Sequence, residues 1–335
     1  MSAPRLRVAF AMSTDVMHRI FPAQRLARFE EFADVLGCVS EFDSDVARGV
    51  LGQADVLVTG WECPAIDEAA LQAAPNLRAI LHSAGTVKSL ITDAVWEREI
   101  AVSSAASANA VPVAEYTVAM IVLANKKVLP IAARYRAQRV EFDVESAFPG
   151  LGNFDKRIGI VSASKIGRKV IEMLRPYGFE IVVYDPFLSA GDAAALGAEA
   201  VTLDELLATS DVVSVHAPSL PATHGLIDER GIGLMRAGTT LLNTARGEII
   251  DQAALTRRVL AGELFAILDV TTPWVLDARH PLYESENAVL TPHIAGSLGS
   301  ELGRLAEVAL AEARRLAHGM PLEHGVGAHE LAFTA

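Results

Sequence analysis

The sequence predicts an α/β protein built from two doubly wound parallel-sheet domains. Short runs rich in β-branched residues alternate with helical patterns along the whole chain, which is how parallel sheets with helical crossovers read. A polar stretch at 134–155 interrupts this alternation, which then begins afresh. The 335 residues are also about twice a domain length of roughly 150.

In the first series, strands are expected at 6–11, 37–41, 55–59, 77–81 and 100–102, with helices near 22–35, 67–73 and 89–98. A long apolar helix follows to about Lys127, with Asn109 as its expected N-cap and Pro112 in its first turn. The second series places strands at 157–161, 180–184, 211–216, 240–243, 266–270 and 288–291. Six strands with intervening helices make a dinucleotide-binding sheet. An amphipathic helix at about 298–318 closes the pattern, carrying Leu302, Leu305, Ala309 and Leu316. Residues 322–335 carry little pattern and are expected to be loose. The domains are therefore placed at 1–104 plus 297–335 and at 105–296.

Composition narrows the function. Lys+Arg total 29 against 41 Asp+Glu, a net charge of −12. Nucleic acid and anionic membranes both want a basic footprint, so neither is expected as a partner. The longest apolar run, 118–124, is far short of the ~18 residues of a membrane span. Arg5 and Arg7 precede a short strand-like run rather than a leader. Cys38 and Cys63 are the only cysteines and form no CxxC. No metal site is expected, and a reducing cytoplasm is the expected home.

The segment from Arg157 reads strand, tight turn, helix. A dinucleotide fingerprint would place G-x-G-x-x-G at 162–167. Here the stretch is Ser162-Ala-Ser164-Lys165-Ile166-Gly167, so only the third glycine stands. Taken alone, this pattern fits an ordinary α/β turn about as well. Asp185 strengthens it. It ends the next strand, 18 residues after Gly167, where a carboxylate can bind ribose hydroxyls and repel a 2′-phosphate. That favours NAD over NADP.

Several further motifs occur in order: Ser214-Val-His216-Ala-Pro218, Asn243-Thr-Ala-Arg246-Gly247, Asp269-Val270 and Thr291-Pro-His293. Together they resemble the D-isomer-specific 2-hydroxyacid dehydrogenases, which include phosphoglycerate, glycerate, D-lactate and formate dehydrogenases. The resemblance covers nearly the whole chain and is strongest over 157–299. It implies a flavodoxin-like substrate domain and a Rossmann NAD-binding domain, an interdomain helix opening at Asn109, and a homodimer formed through the cofactor domain.

The resemblance also implies residue roles. Arg246 matches the arginine that holds the substrate carboxylate, for which a guanidinium fork is well shaped. His293 matches the general acid/base. Asp269 matches the aspartate at the nicotinamide amide. His216 and Thr244 would line the cofactor groove, with Ser164, Lys165 and Ile166 at the phosphates. Ser83-Ala84-Gly85-Thr86-Val87-Lys88 matches the loop that grips the substrate carboxylate, and Asn109 joins that substrate-binding set. Lys88 and His82 would make this rim more positive than a monocarboxylate requires, consistent with a dianionic or phosphonate-like substrate. Alternatively, Lys88 is a solvated lysine at a helix start.

One departure stands out. Relatives carry a glutamate in D-V-x-x-x-E-P that bonds the catalytic histidine and raises its pKa. This chain reads Asp269-Val-Thr-Thr-Pro-Trp274-Val275, and an indole offers no acceptor. Asp277 or Glu284 remain as substitutes. The expected function is an NAD-dependent hydride transfer on a small 2-hydroxy or 2-oxo acid or an analogous anion. The alternative is a catalytically weak NAD-binding sensor or partner-binding protein on the same fold.

Overall fold

The computed structural model describes residues 5–332, and two compact units divide the chain. The first comprises 1–110 and 297–335. Its strands are β1 (Leu6–Ala11), β2 (Ala33–Val39), β3 (Val56–Thr59), β4 (Ala79–His82) and β5 (Ala101–Ser104), all parallel in the order β2-β1-β3-β4-β5. Burial on both faces explains their near-continuous apolar sequences. One face packs Phe10, Phe21 and Phe29 edge to face, with ring centroids 5.1–5.9 Å apart. The same core holds Leu305, Ala309 and Leu310 of the terminal helix Leu302–Ala317. The opposite face gathers Leu57, Ile80, Leu71 and Val95.

Three expectations for this unit need correction. The helix read at 22–35 is shorter, Ala23–Glu30, and a separate helix that the pattern did not reveal, Thr14–Ile20, capped by Ser13, precedes it. Strand β2 begins at Ala33, before Gly37. Gly37, at φ 133°, lies where the β1–β2 register shifts, so the glycine marks a bulge and not a strand start. Finally, 322–332 is docked. Gly325 bridges Ser103, and Val326 N–H donates to the Val102 carbonyl at 2.8 Å. The fully buried Glu312 carboxylate accepts the amides of Glu323 and His324. Residues 333–335 of that stretch lie outside the described residues.

The second unit spans 111–296. Its strands are β6 (Arg157–Val161), β7 (Glu180–Tyr184), β8 (Glu199–Ala200), β9 (Val212–Val215), β10 (Thr240–Asn243), β11 (Phe265–Leu268) and β12 (Ala288–Leu290). They run parallel in the order β12-β11-β10-β9-β6-β7-β8. The seventh strand, β8, escaped the sequence reading because two exposed residues carry no periodicity. From β6 the chain builds outward to β8, then returns to lay β9 on the other side. This puts the topological switch point, where such sheets bind ligands, beside the end of β6.

The helix Ala106–Asn125 starts three residues before Asn109. The Ser104 hydroxyl accepts the Ala106 amide, and Asn109 N–H donates to the Ala105 carbonyl. Asn109 therefore sits within the first turn and is not the cap, and Pro112 lies inside the helix. The helix is long and apolar enough to cross a membrane by length and composition, which corrects the reading of the apolar runs. Ala114, Val118, Ile121 and Ala124 from it pack in the core of the second unit, which accounts for its apolarity.

Candidate active site

In the second unit the residues of interest collect at the carboxyl ends of adjacent strands. The turn after β6 is tight. A Cβ at Gly167 would meet the Ser162 carbonyl oxygen at 2.1 Å, so no larger residue fits there. Ser162 takes φ 79°, the conformation a glycine would adopt freely. Ser164 caps the helix Lys165–Leu174, its Oγ accepting the Gly167 amide at 3.3 Å. Lys165 is exposed and Ile166 half-buried in the first turn. The free amides and positive dipole end of this helix suit a pyrophosphate. Arg168, which the sequence reading passed over, folds back so that Nε donates to the Ala163 carbonyl in this loop.

Asp185 stands at the tip of β7. Its Oδ2 accepts the Ser162 hydroxyl at 3.1 Å and the Ala163 amide at 2.9 Å, and Oδ1 accepts the Phe187 amide. At the end of β9, buried His216 bonds Ser214 Oγ through Nε2 at 2.9 Å, and its buried Nδ1 has no partner. Burial pushes its pKa down to about 3. Thr244 is also buried, 3.4 Å from the Thr117 hydroxyl. His216 and Thr244 thus follow the ends of the adjacent strands β9 and β10. The closed glycine turn, the helix N-terminus, the strand-tip carboxylate and the orphaned Nδ1 together fit a dinucleotide.

Arg246 follows β10. Asn243 braces its turn, accepting the Ala245 amide and donating to the Arg246 carbonyl. A Cβ at Gly247 would lie 2.3 Å from the Thr271 backbone, so this glycine lets the Arg246 turn close on the segment after β11. The guanidinium donates to the Ala245 carbonyl at 2.7 Å. Among the described residues no carboxylate pairs with it, and burial lowers its pKa.

Asp269, expected at the nicotinamide amide, also has a task within the fold. It is buried, and its carboxylate is committed to the loop after β12. Oδ1 accepts Thr291 Oγ1 at 2.6 Å and the Ile294 amide at 2.8 Å, and Oδ2 accepts the Ala295 amide at 2.9 Å. Tyr116 braces the same Thr291 hydroxyl. This aspartate therefore clamps the loop that presents His293. His293 itself sits at φ 55°, a left-handed value that its clamped neighbours impose. Burial lowers its pKa, Asp269 opposes that shift and Arg246 adds to it. Nδ1 is buried without a partner, and the ring lies 4.7 Å from the Trp274 ring at 36°. Neither substitute acid reaches it: Asp277 accepts the Arg279 amide, and Glu284 is exposed.

In the first unit, the loop after β4 carries Ala84, Gly85, Thr86 and Lys88. Ser83 anchors it through Oγ to the Thr59 carbonyl at 2.6 Å. Ala84 is buried, and Thr86 Oγ1 accepts the amide of half-buried Lys88. Gly85 lies against Asn109, whose Oδ1 accepts the Ser297 amide at 3.0 Å. His82 adds no positive charge to this rim. It is buried, bonded to Thr59 Oγ1 at 3.0 Å, and desolvated to a pKa of about 4.

Residues 118–295 match the model for the D-isomer specific 2-hydroxyacid dehydrogenase, NAD binding domain. A D-3-phosphoglycerate dehydrogenase of Mycobacterium tuberculosis is 33% identical over 277 residues, covering 82% of this chain and 51% of the relative. The chain spans about half the length of the curated relatives it matches. Among solved structures, the TT0316 protein from Thermus thermophilus superposes with a TM-score of 0.76 at 28% identity, covering 96% of this chain and all of the other. A D-lactate dehydrogenase from Aquifex aeolicus, complexed with NAD and lactic acid, does so at 0.71 and 25% identity, covering 93% and 96% of the two chains.

Proposed function

The chain belongs to the D-isomer specific 2-hydroxyacid dehydrogenases, with the family's NAD-binding domain as its second unit, and from that premise we propose that it is an NAD-dependent oxidoreductase of a small 2-hydroxy or 2-oxo acid, or of an analogous anion such as a phosphonate. One observation carries the reading: an arginine without a carboxylate partner among the described residues and a half-buried histidine follow the ends of β10 and β12, which flank β11 in one sheet.

Bound NAD supplies the hydride acceptor or donor. In oxidation, Arg246 holds the substrate carboxylate, His293 takes the hydroxyl proton, and the C–H hydrogen leaves as hydride to yield the 2-oxo acid. In reduction, the imidazolium of His293 returns that proton. Arg246 and His293 together speak against a pure nucleotide sensor, which needs no proton-transfer group. Asp185 supports NAD over NADP.

A homodimer through the second unit is part of this proposal, as the family resemblance implies. Two unpaired cysteines support a cytoplasmic home, and the net charge of −12 weighs against nucleic acid or an anionic membrane as a partner. The test is a thermal-shift screen with NAD, NADP and a panel of 2-oxo acids, followed by NADH turnover on the hits. A chain that NAD does not stabilise overturns the reading.

A further inference from the structure

The position of Trp274 gives His293 a partner that neither hydrogen bonds nor charge provides. His293 Nδ1 is buried with nothing to bond. The charges facing the ring are Asp269 and Arg246, opposite in sign, and the aspartate already spends three hydrogen bonds on the loop. What does lie on the ring is the indole of Trp274, at 4.7 Å and 36°. Its segment is fixed. The Thr271 hydroxyl points at the carbonyls of Pro273 and Trp274, at 2.7 and 3.1 Å, and Gly247 closes on the Thr271 backbone.

An indole face is electron-rich. It attracts a cation above it more than the neutral ring that cation becomes on losing its proton. We propose that Trp274 is the positioning partner of His293: its face sets the imidazole plane and favours the protonated ring, as a hydrogen-bonding carboxylate otherwise would. The aromatic ring acts on the proton-transfer group and not on the substrate. The role in turnover rests on the dehydrogenase reading above, whereas the stack itself does not.

The stack is tested on the NAD-free protein by NMR titration of the histidine ring protons, with His293→Gln identifying the His293 signal. Trp274→Leu keeps apolar cover but removes the π face, and Trp274→Phe keeps a smaller face. The His293 midpoint should fall by about half a pH unit in Trp274→Leu, the equivalent of one exposed cation–π contact, and by less in Trp274→Phe. A midpoint that stays or rises in Trp274→Leu overturns the proposal, since the indole would then act only by excluding water. In the dehydrogenase assay the alkaline limb of kcat/KM for reduction, where the imidazolium is lost, should move with the midpoint while the KM for the 2-oxo acid holds. A limb that stays fixed while the NMR midpoint moves would leave the stack standing and overturn His293 as the proton-transfer group.

Discussion

Ser162 donates its hydroxyl to the Asp185 carboxylate at 3.1 Å from a backbone held at φ 79°. The serine stands where a glycine would turn without strain, and it offsets that strain by tying the phosphate loop to the residue expected to meet the ribose. Strain and bond are each on the order of 1 kcal/mol. Ser162→Gly, which loses both, should leave stability within about 1 kcal/mol and NAD affinity unchanged or improved. Ser162→Ala loses the bond and keeps the strain, so it should cost about 1 kcal/mol. Urea unfolding and NAD titration of both variants read this. An NAD affinity in Ser162→Gly several-fold below wild type would show that the hydroxyl itself serves the phosphates.

NAD should bind more tightly than NADP, because a 2′-phosphate would face the Asp185 carboxylate. Asp185→Ala should narrow the gap by weakening NAD and relieving NADP. Paired titrations decide it, and an NADP affinity matching that of NAD in the wild type would remove Asp185 from the ribose site.

Arg246→Ala should cost about 2–5 kcal/mol in kcat/KM on a 2-oxo acid, since the substrate carboxylate loses its charged partner in a half-buried place. Arg246→Lys should recover only part, because an ammonium lacks the fork. Lys88→Ala supplies the comparison. A loss far greater on a dianionic than on a monoanionic substrate would mean that Lys88 reads a second charge. Near-normal turnover by Arg246→Ala would move the anchoring site elsewhere.

The lowered pKa of His293 fixes the direction of its pH dependence. Reduction needs the imidazolium, whose fraction declines as pH rises through a midpoint below the ordinary 6.5. Oxidation needs the neutral base and gains through the same window. Oxidation should therefore be favoured near neutrality. Trp274→Glu should carry the reduction limb to higher pH. Profiles of kcat/KM in both directions test this, and a wild-type reduction limb already above pH 7 contradicts it.

Two buried neutral histidines should make the fold sensitive to acid. His82 and His216 have folded pKa values of about 4 and about 3 against an unfolded 6.5. Between those values the unfolded chain binds the extra protons. Stability is therefore full above pH 6.5 and is lost as pH falls from 6.5 toward 3–4, by about 1.4 kcal/mol per pH unit for each histidine. Urea midpoints at pH 5, 6 and 7 measure the slope, which His82→Gln should reduce. Equal midpoints at pH 5 and 7 would contradict the assignment of both rings as neutral.

The strands from β6 onward were legible because each longer one is a short apolar run bounded by turn residues, and so were the arginine and histidine that follow their ends. What was hidden depends on distant partners. Asn109 reads as a cap in isolation, yet its amide serves Ser297, far along the chain. His82 reads as a positive rim residue until Thr59 and the sheet bury it. Ser162 and Ser164 share a letter but do opposite jobs, one bent into a glycine's backbone and one capping a helix. The missing glutamate is visible at Trp274, but the ring that Trp274 covers is not.

The first unit is written in two pieces, and this sets an order of assembly during synthesis. Phe10, Phe21 and Phe29 emerge from the ribosome early, but Leu305, Ala309 and Leu310, which cover them, follow only after the roughly 190 residues of the second unit. Leu305 lies 276 positions beyond Phe29, so at about 5–20 residues per second that apolar face waits about 14–55 s for its cover. The second unit, contiguous in sequence, can close in the meantime. The nascent chain thus carries a finished domain beside an open one, and it is most exposed to chaperones, proteases and aggregation in the interval before its final helix appears.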